Sequence, residues 1–355
     1  MLRSTLILIL FLAFQSKAQN NDEPLNAYRV LASHNSYKLK PDPRVSKFLN
    51  KIKNKLGEEN DPIQLEYAHE LLSVQLDSFN VRGFELDVYA DPKGGKYYKR
   101  RINGFVRGKR KRSKVPALKE PGFKIIHISD VDYETNYFTL ESALEEIVDW
   151  SKNNPDHSPV YINIEAKGSG MGNESGLLRF LGFEKAIAYD SITYDQLNKE
   201  LLTFIPSEQL LTPKEFQGDF SSIRERIESI GWPSVEEFKG KLFFILEGDR
   251  SDWYATKVNA GADLPMFVYG NTEDPMTLFV RRNQPIGNEA EIKELSKDFI
   301  VRTRTDAGTL EARANDQSRK EAAIRSGAQI VSTDYYRPDL ELSEFSVTLE
   351  EILRE

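Results

Sequence analysis

His34-Asn35, Glu85-Leu86-Asp87, His127 and Glu165 stand at or near the ends of four successive apolar, β-branched runs. An imidazole moves protons near neutral pH. Carboxylates with an amide oxygen form an all-oxygen donor set that suits a hard cation such as calcium or magnesium. Side chains alternate faces along a strand, so Glu85 and Asp87 point the same way. Two like charges on one inner face repel and are costly to bury. A cation shared with Glu165 and the Asn35 amide oxygen removes that cost. An isolated Glu-x-Asp pair or a lone strand-end histidine is ordinarily a structural feature. The ordered combination at four strand ends is hard to explain by packing and marks a catalytic site.

Those residues need a frame. Candidate strands are Arg29–Ala32, Phe84–Tyr89, Lys124–Ile128, Val160–Glu165, Lys241–Leu246, Met266–Tyr269, Phe299–Thr303 and Gln329–Thr333. Leu65, Ala68, Leu72, Leu76 and Phe79 recur at helical spacing, as do Leu140, Leu144, Ile147 and Val148. Glu289–Lys297 and Arg319–Gly327 read as two further helices. Strands alternating with helices predict parallel pairing through right-handed crossovers. The economical fold class is α/β, a single TIM-type (β/α)8 barrel, regular or distorted, with long loops at the catalytic face. Chemistry then belongs at the carboxyl ends of the strands. His69 falls in the first predicted helix and His157 precedes a strand, so both read as structural. Residues 168–182 and 251–285 read as long irregular excursions.

Composition narrows the chemistry further. The 355 residues include no Cys and only four His, which removes thiolate nucleophiles, Cys-ligated metals and multi-His sites. A net charge of -7 gives no general reason to expect nucleic acid, and no obligate protein partner is inferred. Arg3, the apolar run Leu6 to Phe14 and Ser16-Lys17-Ala18 read as a signal peptide over residues 1–18, cleaved before Gln19. The catalytic domain is then 19–355, in a protein that is periplasmic or secreted. One stretch, Lys96 to Lys119, reverses the acidic balance with closely packed Lys and Arg among Tyr97, Tyr98 and Phe105. It follows the Glu85/Asp87 strand and offers a surface for an anionic membrane.

The ordered set His34-Asn35, Glu85-Leu86-Asp87, His127 and Glu165 resembles the catalytic half of phosphatidylinositol-specific phospholipase C. It is most similar to the calcium-dependent bacterial branch. The phrases ASHNSY, ELDVYADPKGG, PGFKIIHISDVDY, VRTRTDA and SGAQIVSTDYY carry the likeness over most of the mature chain. The resemblance implies a TIM-type barrel that cleaves phosphatidylinositol to diacylglycerol and inositol phosphate by attack of the inositol 2-hydroxyl. It implies calcium, ahead of magnesium, held by Asn35, Glu85, Asp87 and Glu165, with Glu85 also accepting a proton. His34 and His127 would flank the phosphorus, His127 as the favoured acid for the leaving oxygen. Lys167, Arg302 and Arg304 are candidates for substrate binding, with a structural Arg304–Asp306 bridge as the competing reading. Relatives specialised for phosphorylated inositides carry lysines where this chain reads Lys241 to Glu247, so plain phosphatidylinositol is the expected lipid. A glycerophosphodiester phosphodiesterase and a non-catalytic inositol-lipid-binding module are the alternatives. The first usually opens with His-Arg, and the second would be expected to have lost part of the set.

Overall fold

The computed structural model describes residues 23–56 and 60–354. The leader expected at residues 1–18 lies outside the described residues. The strands are β1 (Val30–Ser33), β2 (Val81–Asp91), β3 (Gly122–Ile125), β4 (Val160–Ala166), β5 (Leu210–Leu211), β6 (Leu242–Gly248), β7 (Phe267–Val268), β8 (Phe279–Arg281), β9 (Ile300–Arg304) and β10 (Ile330–Thr333). Parallel pairs run β1–β2–β4–β6–β7 and β8–β9–β10–β1. A single parallel bridge, Tyr269 to Phe279, joins β7 to β8 and closes the ring. The expected barrel is therefore present, with a short-laddered seam at β7–β8. No helix among the described residues is long and apolar enough to cross a membrane.

Two expectations about the strands need correction. The run read as Lys124–Ile128 is not a barrel strand: β3 pairs antiparallel with the far end of β2, Val88–Asp91 against Gly122–Ile125. The eighth barrel strand is instead β8, inside the segment read as an irregular excursion. Three residues are too few to show a period. The predicted helix over Leu65–Phe79 forms only from Leu72 to Phe79. Upstream, the His69 N–H donates to the Lys38 carbonyl and its ring to the His34 carbonyl (2.9 and 2.7 Å), so tertiary bonds hold residues 66–71 out of the helix.

The inner faces explain why charge gathers at one end. From the amino to the carboxyl end, β4 turns Tyr161, Asn163 and Glu165 inward, and β6 turns Phe243, Ile245 and Glu247 in matching register. Tyr161, Phe243, Phe267 and Phe279 plug the lower barrel with ring centroids 5.2–6.2 Å apart. Outward-facing Leu86, Val88, Ile162 and Ile164 pack in the core that includes Leu144 and Ile147 of the helix Leu140–Asn153. Beneath Glu85, Gly83 is required: a Cβ there would lie 2.5 Å from the Ala32 Cβ. The aromatic floor leaves polar side chains only the upper layers.

Candidate active site

Glu85 and Asp87 occupy the inner face of β2, as their spacing predicts, and Asp87 pairs in register with Glu165 on β4. One carboxylate oxygen from each of Glu85, Asp87 and Glu165 lies within 4.8 Å of the others. The turn after β1 is locked onto this layer. The Ser36 N–H donates to the Glu85 carbonyl (2.9 Å), and the Glu85 N–H donates to Ser36 Oγ (2.8 Å). Asn35 sits in that turn with φ 47°, a left-handed conformation that asparagine tolerates. Its amide nitrogen donates to the Tyr67 hydroxyl (2.7 Å), and its oxygen has only the distant Tyr37 hydroxyl (3.5 Å).

This donor set fits a hard cation. Asp87 is fully buried and neither of its carboxylate oxygens accepts a hydrogen bond, although Lys167 Nζ pairs with one at 3.0 Å. Burial raises the Asp87 carboxyl well above its ordinary range; Lys167 opposes the shift, and the charges of Glu165 and Glu85 add to it. A divalent ion among oxygen donors reverses that balance. Lys167 also pairs with Glu165 at 2.7 Å, so it sits among the carboxylates rather than at the rim. Glu85 differs from Asp87. Burial acts to raise its pKa, but the opposing charges of Arg302, His34 and Arg304 prevail, and it falls to about 2.

Both histidines have an aspartate on one ring nitrogen and a cation behind it. His34 Nδ1 lies 2.7 Å from Asp334 Oδ1, and Arg304 pairs with the other oxygen of Asp334 at 2.9 Å. Arg304 also donates to His34 Nε2 (3.0 Å), so that nitrogen carries a lone pair and Nδ1 carries the hydrogen. His127 Nδ1 lies 2.7 Å from Asp132 Oδ2, which Lys38 Nζ approaches at 3.2 Å. Burial lowers the His127 pKa, against the pull of Asp132. A tight turn brings the two together: the Ile128 N–H donates to the Asp132 carbonyl, and the Asp132 N–H returns to Ile128 (3.0 and 2.9 Å). Such dyads fix the tautomer and ring orientation of a catalytic imidazole.

The structure brings His34, Asn35, Glu85, Asp87, Glu165, Lys167, Arg302 and Arg304 to one end of the barrel, with His127 beside it, two residues past the end of β3. Arg302 is buried and pairs with Glu85 and, at 3.5 Å, with Glu247. Arg304 serves His34 and Asp334, with Asp306 farther off at 3.7 Å. Sequence reading missed Asp132, Asp334 and Lys38, although the first two lie within phrases that drew attention to their neighbours. It also missed the role of Glu247, which holds Arg302, Arg281 and Asn163.

His157 packs on Trp150 and Ser151 at the opposite face, as expected. His69, correctly read as structural but misplaced in a helix, donates Nε2–H to the His34 carbonyl and stacks on Tyr336. Burial lowers its pKa from 6.5 to about 4. Above pH 6.5 the neutral ring is present in both folded and unfolded chains. As pH falls toward 4, only the unfolded chain takes up the proton, so stability is lost across that window. The shift corresponds to about 3 kcal/mol at most. His69→Gln keeps a donor without a titrating ring, so its thermal midpoint should fall less steeply between pH 6.5 and 4. Parallel curves for the two proteins would refute the assignment.

A family model described as calcium-dependent phosphoinositide phospholipase C matches residues 24–354. A calcium-dependent phosphoinositol-specific phospholipase C from Pseudomonas sp is 14% identical, with TM-score 0.52 over 91% of this chain and 92% of that one. A calcium-dependent phosphatidylinositol-specific phospholipase C from Streptomyces antibioticus is 13% identical, with TM-score 0.51 over 88% and 95%. The phosphatidylinositol-specific phospholipase C from Listeria monocytogenes is 9% identical, with TM-score 0.50 over 95% and 96%. The curated proteins give no sequence match.

Proposed function

The chain belongs to the calcium-dependent phosphoinositide phospholipase C family, and from that membership we propose that it cleaves phosphatidylinositol to diacylglycerol and an inositol phosphate by attack of the inositol 2-hydroxyl on the neighbouring phosphorus. The observation that carries the reading is the pair of aspartate-anchored histidines beside a buried carboxylate cluster. Asn35, Glu85, Asp87 and Glu165 would hold the calcium, which when bound supplies a Lewis acid that acidifies the ring hydroxyl and offsets phosphate charge.

The remaining work falls to side chains. The attacking hydroxyl is adjacent to its phosphorus, so the protein must orient the ring, remove one proton and supply another to the leaving oxygen. Glu85, kept ionised at neutral pH by the charges of Arg302, His34 and Arg304, can accept the proton from the hydroxyl. His34 Nε2, 3.5 Å from Glu85 Oε1, is a second acceptor in reach and, when protonated, stabilises the five-coordinate phosphorus. Protonated His127 gives its proton to the departing diacylglycerol oxygen. Arg304 and Lys167 add positive charge for the phosphate; Arg302 acts through Glu85 as a positioning residue.

Export through the leader at residues 1–18 belongs to this reading, as does contact of the basic insertion with an anionic bilayer. Phosphorus-31 NMR of phosphatidylinositol vesicles tests the activity, using secreted protein whose mass fixes Gln19 as its first residue. A water-soluble inositol phosphate should appear with calcium and not with chelator. Turnover in chelator would refute the metal role. Cleavage of only water-soluble deacylated diesters would favour a glycerophosphodiesterase, and lipid binding without turnover a silent module.

A further inference from the structure

Large apolar side chains stand in water around the catalytic mouth. Phe180 is 86% exposed and Leu177 67%, both on the short helix Gly176–Phe180 that follows β4. Phe105 in the basic insertion is 42% exposed, and Leu310 and Leu340 project from segments that follow β9 and β10. Each leaves the carboxyl end of a barrel strand. Leu177 and Phe180, three apart, share one helix face.

The helix and the basic insertion form one surface. Phe105 stacks on Phe183 with centroids 6.2 Å apart, and the Arg101 guanidinium lies over the Phe105 ring at 5.1 Å. Asp130 ties the two segments together. One of its carboxylate oxygens accepts from the Arg101 N–H (2.8 Å) and the other from the Glu184 N–H (2.6 Å), while its carbonyl accepts from Ile102 (3.2 Å). Asp130 lies in the turn that joins His127 to Asp132, so this surface is fixed to the catalytic mouth.

Much of its charge is unspent. Lys96, Arg100 and Lys109 pair with Glu184, Glu134 and Asp42. Lys99, Arg107, Arg110, Lys111, Arg112 and Lys114 are exposed and enter no ion pair among the described residues. Cations alone would suit any polyanion. Cations fixed beside two solvent-facing apolar side chains suit a partner that is anionic at its surface and apolar beneath, which is a lipid bilayer.

We propose that the Gly176–Phe180 helix and the basic insertion form a membrane dock, with Leu177 and Phe180 entering the acyl boundary while the free cations lie on anionic headgroups. This rests on the lipid-cleaving reading above and names the side chains that bring the mouth to its substrate. Its test needs no catalysis. The full mature chain, in chelator, is sedimented with vesicles of phosphatidylcholine alone or mixed with phosphatidylserine. Wild type should bind the mixed vesicles, and Leu177→Ser/Phe180→Ser should weaken that binding by about tenfold or more. Lys111→Glu/Arg112→Glu should weaken it as well, and added salt should mimic that change. A Phe180→Trp variant should shift its emission to the blue on mixed vesicles and be quenched by brominated acyl chains. Unchanged emission, wild-type binding by the apolar double variant, or no vesicle binding by wild type would each overturn the dock. Heparin binding insensitive to the apolar pair would assign the patch to soluble polyanions instead. Neither vesicle lipid is phosphatidylinositol, so this outcome is independent of the NMR result.

Discussion

Asp87→Asn should abolish calcium-dependent turnover while leaving the calcium-free protein as stable as wild type or more so. The opposite signs follow from one environment. Asp87 is buried, accepts no hydrogen bond, and is raised by burial and by Glu165 and Glu85 despite Lys167. In the calcium-free chain its ionised form is an electrostatic burden, and asparagine relieves it. On the proposed reading, the same carboxylate becomes a ligand when calcium binds. Its loss removes several kcal/mol of charge stabilisation, about 10³-fold or more in kcat/KM. Thermal melts with and without calcium separate the two effects. Saturating calcium should raise the wild-type midpoint through its affinity for the folded state alone, and Asp87→Asn should lose most of that rise. A variant that melts below wild type in chelator would refute the electrostatic burden, and one that keeps the full calcium response would show that Asp87 is not a ligand.

His34→Ala and His127→Ala should each reduce cleavage of phosphatidylinositol by roughly 10³- to 10⁴-fold, and a change of leaving group should tell them apart. Diacylglycerol departs as a strongly basic alkoxide and needs a proton. Nitrophenolate departs without one. On a nitrophenyl inositol phosphate, His127→Ala should therefore recover most of its deficit, to within about 10²-fold of wild type. His34→Ala should recover little, since its partner proton and the phosphorane charge are unchanged. The reverse pattern would exchange the two roles. The double variant should lose much less than the product of the single losses, because groups that act as a unit are not additive.

Much of this site was legible before the fold was known. Strand alternation put Glu85 beside Asp87, and the order of the runs put Asn35 and Glu165 at the same end. What sequence pattern could not supply were contacts across the chain. Arg302 pairs with a glutamate 217 positions away, and Asp334 reaches His34 across 300. No local period encodes either. Arg302 was expected at the substrate for a sound reason, since it does face inward, yet the nearest anion inside is Glu85. The hairpin was misread because Phe123 to Ile126 has the apolar content of a barrel strand. Its direction depends on pairing with the overhanging end of β2, which is a property of two segments together. His69 went astray in the same way: the apolar spacing was helical, but backbone groups of Lys38 and His34 claimed the residue.

The hairpin divides the chain into parts that can change at different rates. Asp91 and Gly122 are register partners, so residues 92–121 leave and re-enter the molecule at adjacent points. For a flexible segment pinned this way, doubling its length adds only about 0.6 kcal/mol to closure, and no ring strand shifts register. On the exit side there is no such freedom. His127 comes two residues after the last paired position, and a one-residue slip there would turn it to the other face. One connection thus joins a graft site, open to insertion and replacement, to a segment whose spacing is fixed to the residue. Variation in the surface this molecule presents can accumulate on the first while the second holds the chemistry still.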